Sequence, residues 1–235
     1  QWITNYIQKT QNAIHSSNPS DPNTGYPAYI DVDSFINYII INELGRQPDS
    51  YIRSTRIYKD RDKKLMAGPL WDYDLAFDCT TMGGFGFGGS TSSVEGWQFQ
   101  PMMMGMSTCD WFYTLMQDAS FQSQISARWQ ELRRGPLSDA NLSKRVKELS
   151  APIANAAKRN FQKWNILNTS QVGGFSTQVT QTWDDQLKIV ENFLIKRAAW
   201  LDTSGWKPTT TNPGGGWPGG GWPGGGGWPG GGWGF

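Results

Sequence analysis

Three carboxylates, Asp49, Asp72 and Asp74, are the side chains of this 235-residue chain best suited to carry chemistry. Asp72 and Asp74 fall in the run Trp71-Asp72-Tyr73-Asp74, which closes a hairpin-like pattern, and Asp49 lies earlier, in the turn Pro48-Asp49-Ser50-Tyr51. Side chains two apart in an extended strand point to one face. Asp72 and Asp74 are therefore expected to share a cation or, without one, to repel each other. Mg²⁺ takes oxygen ligands and is usually bound by one or two carboxylates together with substrate phosphates. In phosphoryl transfer one Asp orients and deprotonates the acceptor hydroxyl while another holds the metal on the phosphate, so two locations fit two roles. The plain alternative is that acidic turns are solvated caps.

The elements that must position these groups can be read from the pattern. Ser54-Thr55-Arg56-Ile57-Tyr58, the charged turn Lys59 to Lys63, and Lys64 to Trp71 make a β-hairpin, with β-branched and aromatic residues on either side of turn formers. Before it, residues 2 to 15 read as an amphipathic helix, broken by the Pro, Gly and Asn residues of Ser16 to Pro27. A second helix, capped by Asp31 or Asp33, carries Val32, Phe35, Ile36, Ile39, Ile40 and Leu44 around most of its circumference. It is expected to be the central buried helix, with Gly45 ending it. From Cys109 onward the pattern is helical: one short helix to Asp118, a second stopped by Gly135-Pro136, and a third opened by Ser138. The third meets Pro152 as a kink or a fresh start and continues through Trp164, and a last helix covers Trp183 to Leu201. The Trp and Phe stripes on these helices are expected to be core.

Composition narrows the chemistry. The formal net charge is +1 and basic residues alternate with acidic ones, so no basic stripe is offered to nucleic acid. His15 is the only histidine, which leaves His-based triads and multi-His metal sites hard to assemble; a helix-surface role fits it better. Cys79 and Cys109 do not form a zinc motif, and their spacing fits a disulfide about as well as two free thiols. The run Gly83-Gly84-Phe85-Gly86-Phe87-Gly88-Gly89 lacks the strand, helix and Lys-Ser/Thr context of a phosphate cradle and reads as a substrate-side loop. The chain starts at Gln1 within a helical pattern, with neither an initiator Met nor a signal sequence, and reads as part of a longer protein. It has no apolar run long enough to span a membrane.

From Pro213 to Phe235 the sequence is a Gly-Gly-Gly-Trp-Pro repeat that holds 14 of the 28 glycines. Such a segment is a flexible coil, and Trp217, Trp222, Trp228 and Trp233 along it suit self-association or contact with carbohydrate faces. The division expected is one body, residues 1–205, and a low-complexity tail, residues 206–235.

An ordered set of motifs now carries a resemblance: Asp31 to Tyr38, Asp49-Ser50-Tyr51, Ile57-Tyr58-Lys59-Asp60, Gly68 to Phe77, Arg128 to Arg133, and Arg197-Ala198-Ala199-Trp200-Leu201. Over residues 1 to 205 the chain resembles the CotH kinase family of spore-coat and extracellular proteins. The resemblance implies an α+β, mainly helical catalytic C-lobe of an atypical protein-kinase-like fold, with the hairpin carrying the acidic site. It also implies ATP and Mg²⁺ or Mn²⁺ as cofactors, a serine-containing protein as substrate, and a place outside the cell or at its surface. By position, Asp49 matches the catalytic-loop aspartate and Asp72 the metal-binding aspartate, with Asp74 as secondary ligand. Ser54 falls where many members carry Asn as the second metal-holding residue, and a hydroxyl is a poorer hard-cation ligand than an amide carbonyl. A lobe that covers the nucleotide is not expected before Asp31, so the chain alone is expected to transfer phosphate weakly or not at all.

Two other readings stand beside this one. The chain could be a non-catalytic surface module that adheres through the loop at 80 to 108 and the Trp-Gly tail, or Asp72-Tyr73-Asp74 could be the DxD of a nucleotide-sugar transferase.

Overall fold

The structure, a computed structural model, describes residues 1–78, 93–100, 110–172 and 175–208. Cys79, Cys109, the glycine run at 83–89 and the Trp-Gly tail lie outside the described residues. The described residues are mainly helical with small antiparallel sheets, an α+β arrangement.

Helix α1 (Trp2–Ile14) buries Thr10, Ala13 and Ile14 and leaves Trp2 and Ile3 exposed. His15 caps its C-terminus and meets Asp110, Nε2 to Oδ2 3.1 Å, a half-exposed contact with the next helix packed against it. A 3-10 turn (Tyr26–Ala28) follows. Helix α2 (Val32–Gly45) starts at Asp31, whose carboxylate accepts from the Ser34 N–H at 2.8 Å. That satisfies one of the free amides of a helix N-terminus. Its nine buried residues point in all directions, so α2 is the central buried helix that its composition predicts. Gly45 is its last helical residue rather than its stop. The chain leaves the helix at Arg46, which takes the left-handed conformation (φ 48°) that glycine was expected to supply.

The hairpin is shorter than its pattern: β1 (Ile57–Tyr58) pairs antiparallel with β2 (Met66–Ala67), with Ile57 opposite Ala67. The Asp31 N–H donates to Leu65 O (2.7 Å) and the Leu65 N–H to Tyr29 O (2.9 Å), which fastens the hairpin to the start of α2. Helices α3 (Asp110–Leu115), α4 (Ala119–Arg133), α5 (Asp139–Ser150), α6 (Ala154–Lys163) and α7 (Trp183–Thr203) follow, with β3 (Gln171–Val172) and β4 (Phe175–Ser176) between α6 and α7. Pro152 sits in a 3-10 turn, Ala151–Ile153, and separates α5 from α6 as a fresh start, because a proline ring cannot continue the hydrogen-bond ladder. Helices α4 and α7 pack on α2, and Phe112, Phe121, Ile125 and Trp129 join its apolar core.

One expectation about the core is corrected. Helix α6 buries none of its residues, and Trp164 at its end is 56% exposed; its apolar spacing marks one face of a surface helix. Trp206, by contrast, is buried beside Trp97 and Trp129, and Trp97 Nε1 donates to Lys207 O at 2.8 Å, so the body's packing continues past α7.

Candidate functional site

Both acidic segments are anchored at the C-terminal end of α2. The first is the turn from Arg46 to Ser54, where the carbonyl of Asp49 accepts from the N–H groups of Ile52 (3.2 Å), Arg53 (3.1 Å) and Ser54 (2.9 Å). The turn is tied back to α2 by the Tyr38 hydroxyl, which donates to Ser50 O at 3.0 Å, and by the Tyr51 hydroxyl, which donates to Glu43 at 3.1 Å. These bonds fix the Asp49 main chain while its side chain stays half-buried.

The second segment leaves β2 at Gly68, whose N–H donates to Arg56 O at 2.8 Å, and passes a cis peptide bond to Pro69. It then returns to α2. Tyr73 donates its hydroxyl to Asn42 Oδ1 at 2.6 Å, and the Phe77 N–H donates to Gly45 O at 2.8 Å. Gly45 permits this approach: a Cβ there would lie 3.2 Å from Phe77 Cε1 and 3.6 Å from Tyr73 Cε1. Gln47 adds a third tie, its side-chain amide N–H donating to the main-chain oxygen of Asp72.

Asp72 and Asp74 are accordingly not part of an extended strand. Asp72 has φ 61° and residues 74 and 75 form a turn, so the expectation that strand alternation aims both at one face is corrected. Their relation to Asp49 comes from the ties to α2 instead. Both side chains are exposed.

Electrostatics record how near the three groups are. Burial pushes the Asp49 carboxyl above its usual range, the Arg53 guanidinium pulls it down, and the charges of Asp72 and Asp74 push it up again. Of the sequence-predicted site residues, the structure thus brings Asp72 and Asp74 within electrostatic reach of Asp49. It buries Ser54, at 4% exposure, beneath the same turn, its N–H on the Asp49 carbonyl.

Asp72 and Asp74 offer exposed carboxylate oxygens, the donor type that a hard divalent cation takes. Among the described residues no three His, Cys, Asp or Glu side chains close a cage by themselves. An ion that retains waters and takes phosphate oxygens does not require one.

The comparisons with known proteins agree with this frame. The model of the CotH kinase protein family matches residues 1–201. The chain belongs to the CotH kinase protein family. A search of curated proteins and a search of solved structures each return no match. The CotH match spans α1 through most of α7 and includes both acidic segments. Among the described residues no helix is long and apolar enough to cross a membrane.

Several residues that brace the C-terminal end of α2 carry no local signal. Glu43 and Arg197 are both fully buried: Arg197 Nη2 meets Glu43 Oε2 at 3.1 Å and its Nε donates to Glu43 O at 2.8 Å. Glu43 also accepts from the N–H groups of Gln98 (3.0 Å) and Phe99 (3.0 Å). Burial pushes the Glu43 carboxyl up, against the pull of Arg197 and these amides. Four donors and no acceptor around it favour the ionised form. Arg197 Nη1 donates to Val94 O and Gly96 O, and Arg46 Nη1 to Ser93 O and Glu95 O, so two guanidinium groups grip the 93–99 segment by its main chain. Arg197 falls in a motif that the resemblance rests on, but its partner is 154 residues away and nothing in the sequence points to it.

Proposed function

We propose that this chain carries the catalytic C-lobe acidic site of a CotH-type protein kinase that transfers the γ-phosphoryl group of ATP to serine of a protein substrate. The observation that carries the reading is the half-buried Asp49, held on the turn that follows α2, whose carboxyl burial pushes up and the charges of Asp72 and Asp74 push further. A carboxyl shifted up from its usual range is a better proton acceptor for a hydroxyl than an ordinary surface aspartate. Asp49 orients the serine hydroxyl and takes its proton as the serine oxygen bonds to the γ-phosphorus. The bond from that phosphorus to the β–γ bridging oxygen breaks, and ADP leaves with the electron pair. Asp72 and Asp74 would hold the divalent ion, which would supply the positive charge that offsets the negative charge developing on the transferred phosphoryl group. The family membership supports a nucleotide and a protein as partners, and a place at or outside the cell surface.

The test is a thermal melt of the full chain with and without Mg-ATP, paired with phosphotransfer to dephosphorylated casein. At about 100 Kd of nucleotide, binding to the native state alone stabilises by about 2.7 kcal/mol. Wild type is expected to melt higher with Mg-ATP, and Asp72→Asn to lose the shift. Asp49→Asn is expected to keep the shift and to lose whatever weak transfer the wild-type chain shows. A melt indifferent to Mg-ATP, or a shift that survives Asp72→Asn, counts against the reading; a shift with a nucleotide sugar alone favours a glycosyl transferase.

A further inference from the structure

Gln47 stands between the two acidic segments and has no part in the reaction as described. Its side chain is 1% exposed. The amide N–H donates to the main-chain oxygen of Asp72, which fixes the orientation of the group, since an amide oxygen turned to that carbonyl would be repelled. The amide oxygen Oε1 sits on the same carbon, so the clamp on the Asp72 main chain also fixes where that oxygen lies. Among the described residues Oε1 is buried and has no hydrogen-bond donor. Buried polar atoms are nearly always paired, and an orphaned acceptor calls for a water, an ion or a donor to complete it.

The surroundings narrow what that partner is. The nearest chain is the one that carries Asp72 and Asp74, and Asp49 lies two residues from Gln47 on the other segment. The Arg46 guanidinium next to Gln47 is taken up by the Ser93 and Glu95 carbonyls, and Arg53 faces Asp49, so the charge left on the Asp72–Asp74 side is negative and attracts a cation. An amide carbonyl is a hard neutral oxygen of the kind that Mg²⁺ and Ca²⁺ accept alongside carboxylates. We infer that Gln47 Oε1 is a ligand of the divalent cation held by Asp72 and Asp74, supplying the amide oxygen for which the sequence offers only the Ser54 hydroxyl. This rests on the metal-dependent reading above and adds a residue to it.

The experiment measures Mn²⁺ binding to the full chain in the absence of nucleotide, by electron paramagnetic resonance of the free ion, for wild type and three variants. Gln47→Met keeps the shape and removes both polar ends. Gln47→Glu keeps an oxygen at the ligand position but loses the N–H that clamps Asp72. The inference expects Gln47→Met to weaken Mn²⁺ binding at least tenfold and Gln47→Glu to bind as tightly as wild type or tighter. Equal affinity for wild type and Gln47→Met overturns it. So does a tenfold loss in Gln47→Glu, which makes the clamp alone responsible. Should the Met variant fail to fold by circular dichroism, the Glu variant decides by the same two outcomes. Asp72→Asn separates the two levels: no Mn²⁺ binding by wild type overturns the metal-dependent reading itself, whereas Mn²⁺ binding that Asp72→Asn abolishes and Gln47→Met leaves intact overturns only the role of Gln47.

Discussion

Glu43 of α2 and Arg197 of α7 form an ion pair, 3.1 Å from Nη2 to Oε2, with both side chains at 0% exposure. The pair joins the central helix to the last one and organises the 93–99 segment around it. Removing one partner of a buried pair leaves an uncompensated charge, at a cost of about 3–5 kcal/mol. Arg197→Met is expected to lose stability in that range, because Glu43 would be stranded without water. Glu43→Gln strands Arg197 instead and is expected to cost a comparable amount. The double variant Glu43→Gln with Arg197→Met should recover part of the loss, since both charges of the pair are then gone and only the Arg46 guanidinium stays buried there. Urea unfolding of the three variants tests this; losses that simply add would show that the pair is not coupled.

Gly45→Ala separates helix propensity from packing. Alanine favours a helix interior over glycine by about 1 kcal/mol, so propensity alone predicts a gain. The new Cβ, however, would meet Phe77 Cε1 at 3.2 Å and Cζ at 3.4 Å. The Phe77 ring stacks on Tyr73 (centroids 6.0 Å), and Tyr73 is tied to Asn42, so the ring has little room to yield. Overpacking of this kind costs about 1–3 kcal/mol. A net loss is expected, together with faster amide exchange at Phe77 as its bond to residue 45 lengthens. A more stable variant with unchanged exchange would refute the packing argument.

Alkaline pH should unfold the protein through its tyrosines. Burial pushes the hydroxyls of Tyr6, Tyr26, Tyr51 and Tyr73 above their usual value of 10.0; the Asp118 charge adds to this at Tyr26, and Glu43 at Tyr51. A folded pKa above the unfolded one means that the unfolded chain releases these protons first, so stability is complete below about pH 10 and falls as pH rises beyond it. Absorbance at 295 nm should show two phases for the eight tyrosines, the second coincident with loss of far-ultraviolet ellipticity. A single smooth step near pH 10 with helicity retained would contradict the burial of these hydroxyls.

How much of this was legible depends on the distance over which each feature is determined. Asp31 as cap, the apolar circumference of α2, and Pro152 as a break are set within a few residues, and the sequence shows them. The candidate acidic residues were visible as residue types, but not the route by which they meet. Strand alternation predicted one face for Asp72 and Asp74, whereas Asp72 is left-handed because Tyr73 is drawn to Asn42 and Phe77 to Gly45, each about thirty residues away. Trp164 misled for a related reason: a helical stripe shows that a face is apolar, not that another element covers it. The two-residue strands β3 and β4 are too short to leave any alternation to read.

The grip of Arg46 and Arg197 on the 93–96 carbonyls has a consequence for how freely this part of the gene can drift. Nitrogens that hold a segment by its peptide oxygens are indifferent to which amino acid bears them. Ser93, Val94 and Glu95 could therefore be replaced over generations by most other residues without loosening the hold, while the two arginines and the acid beneath them could not.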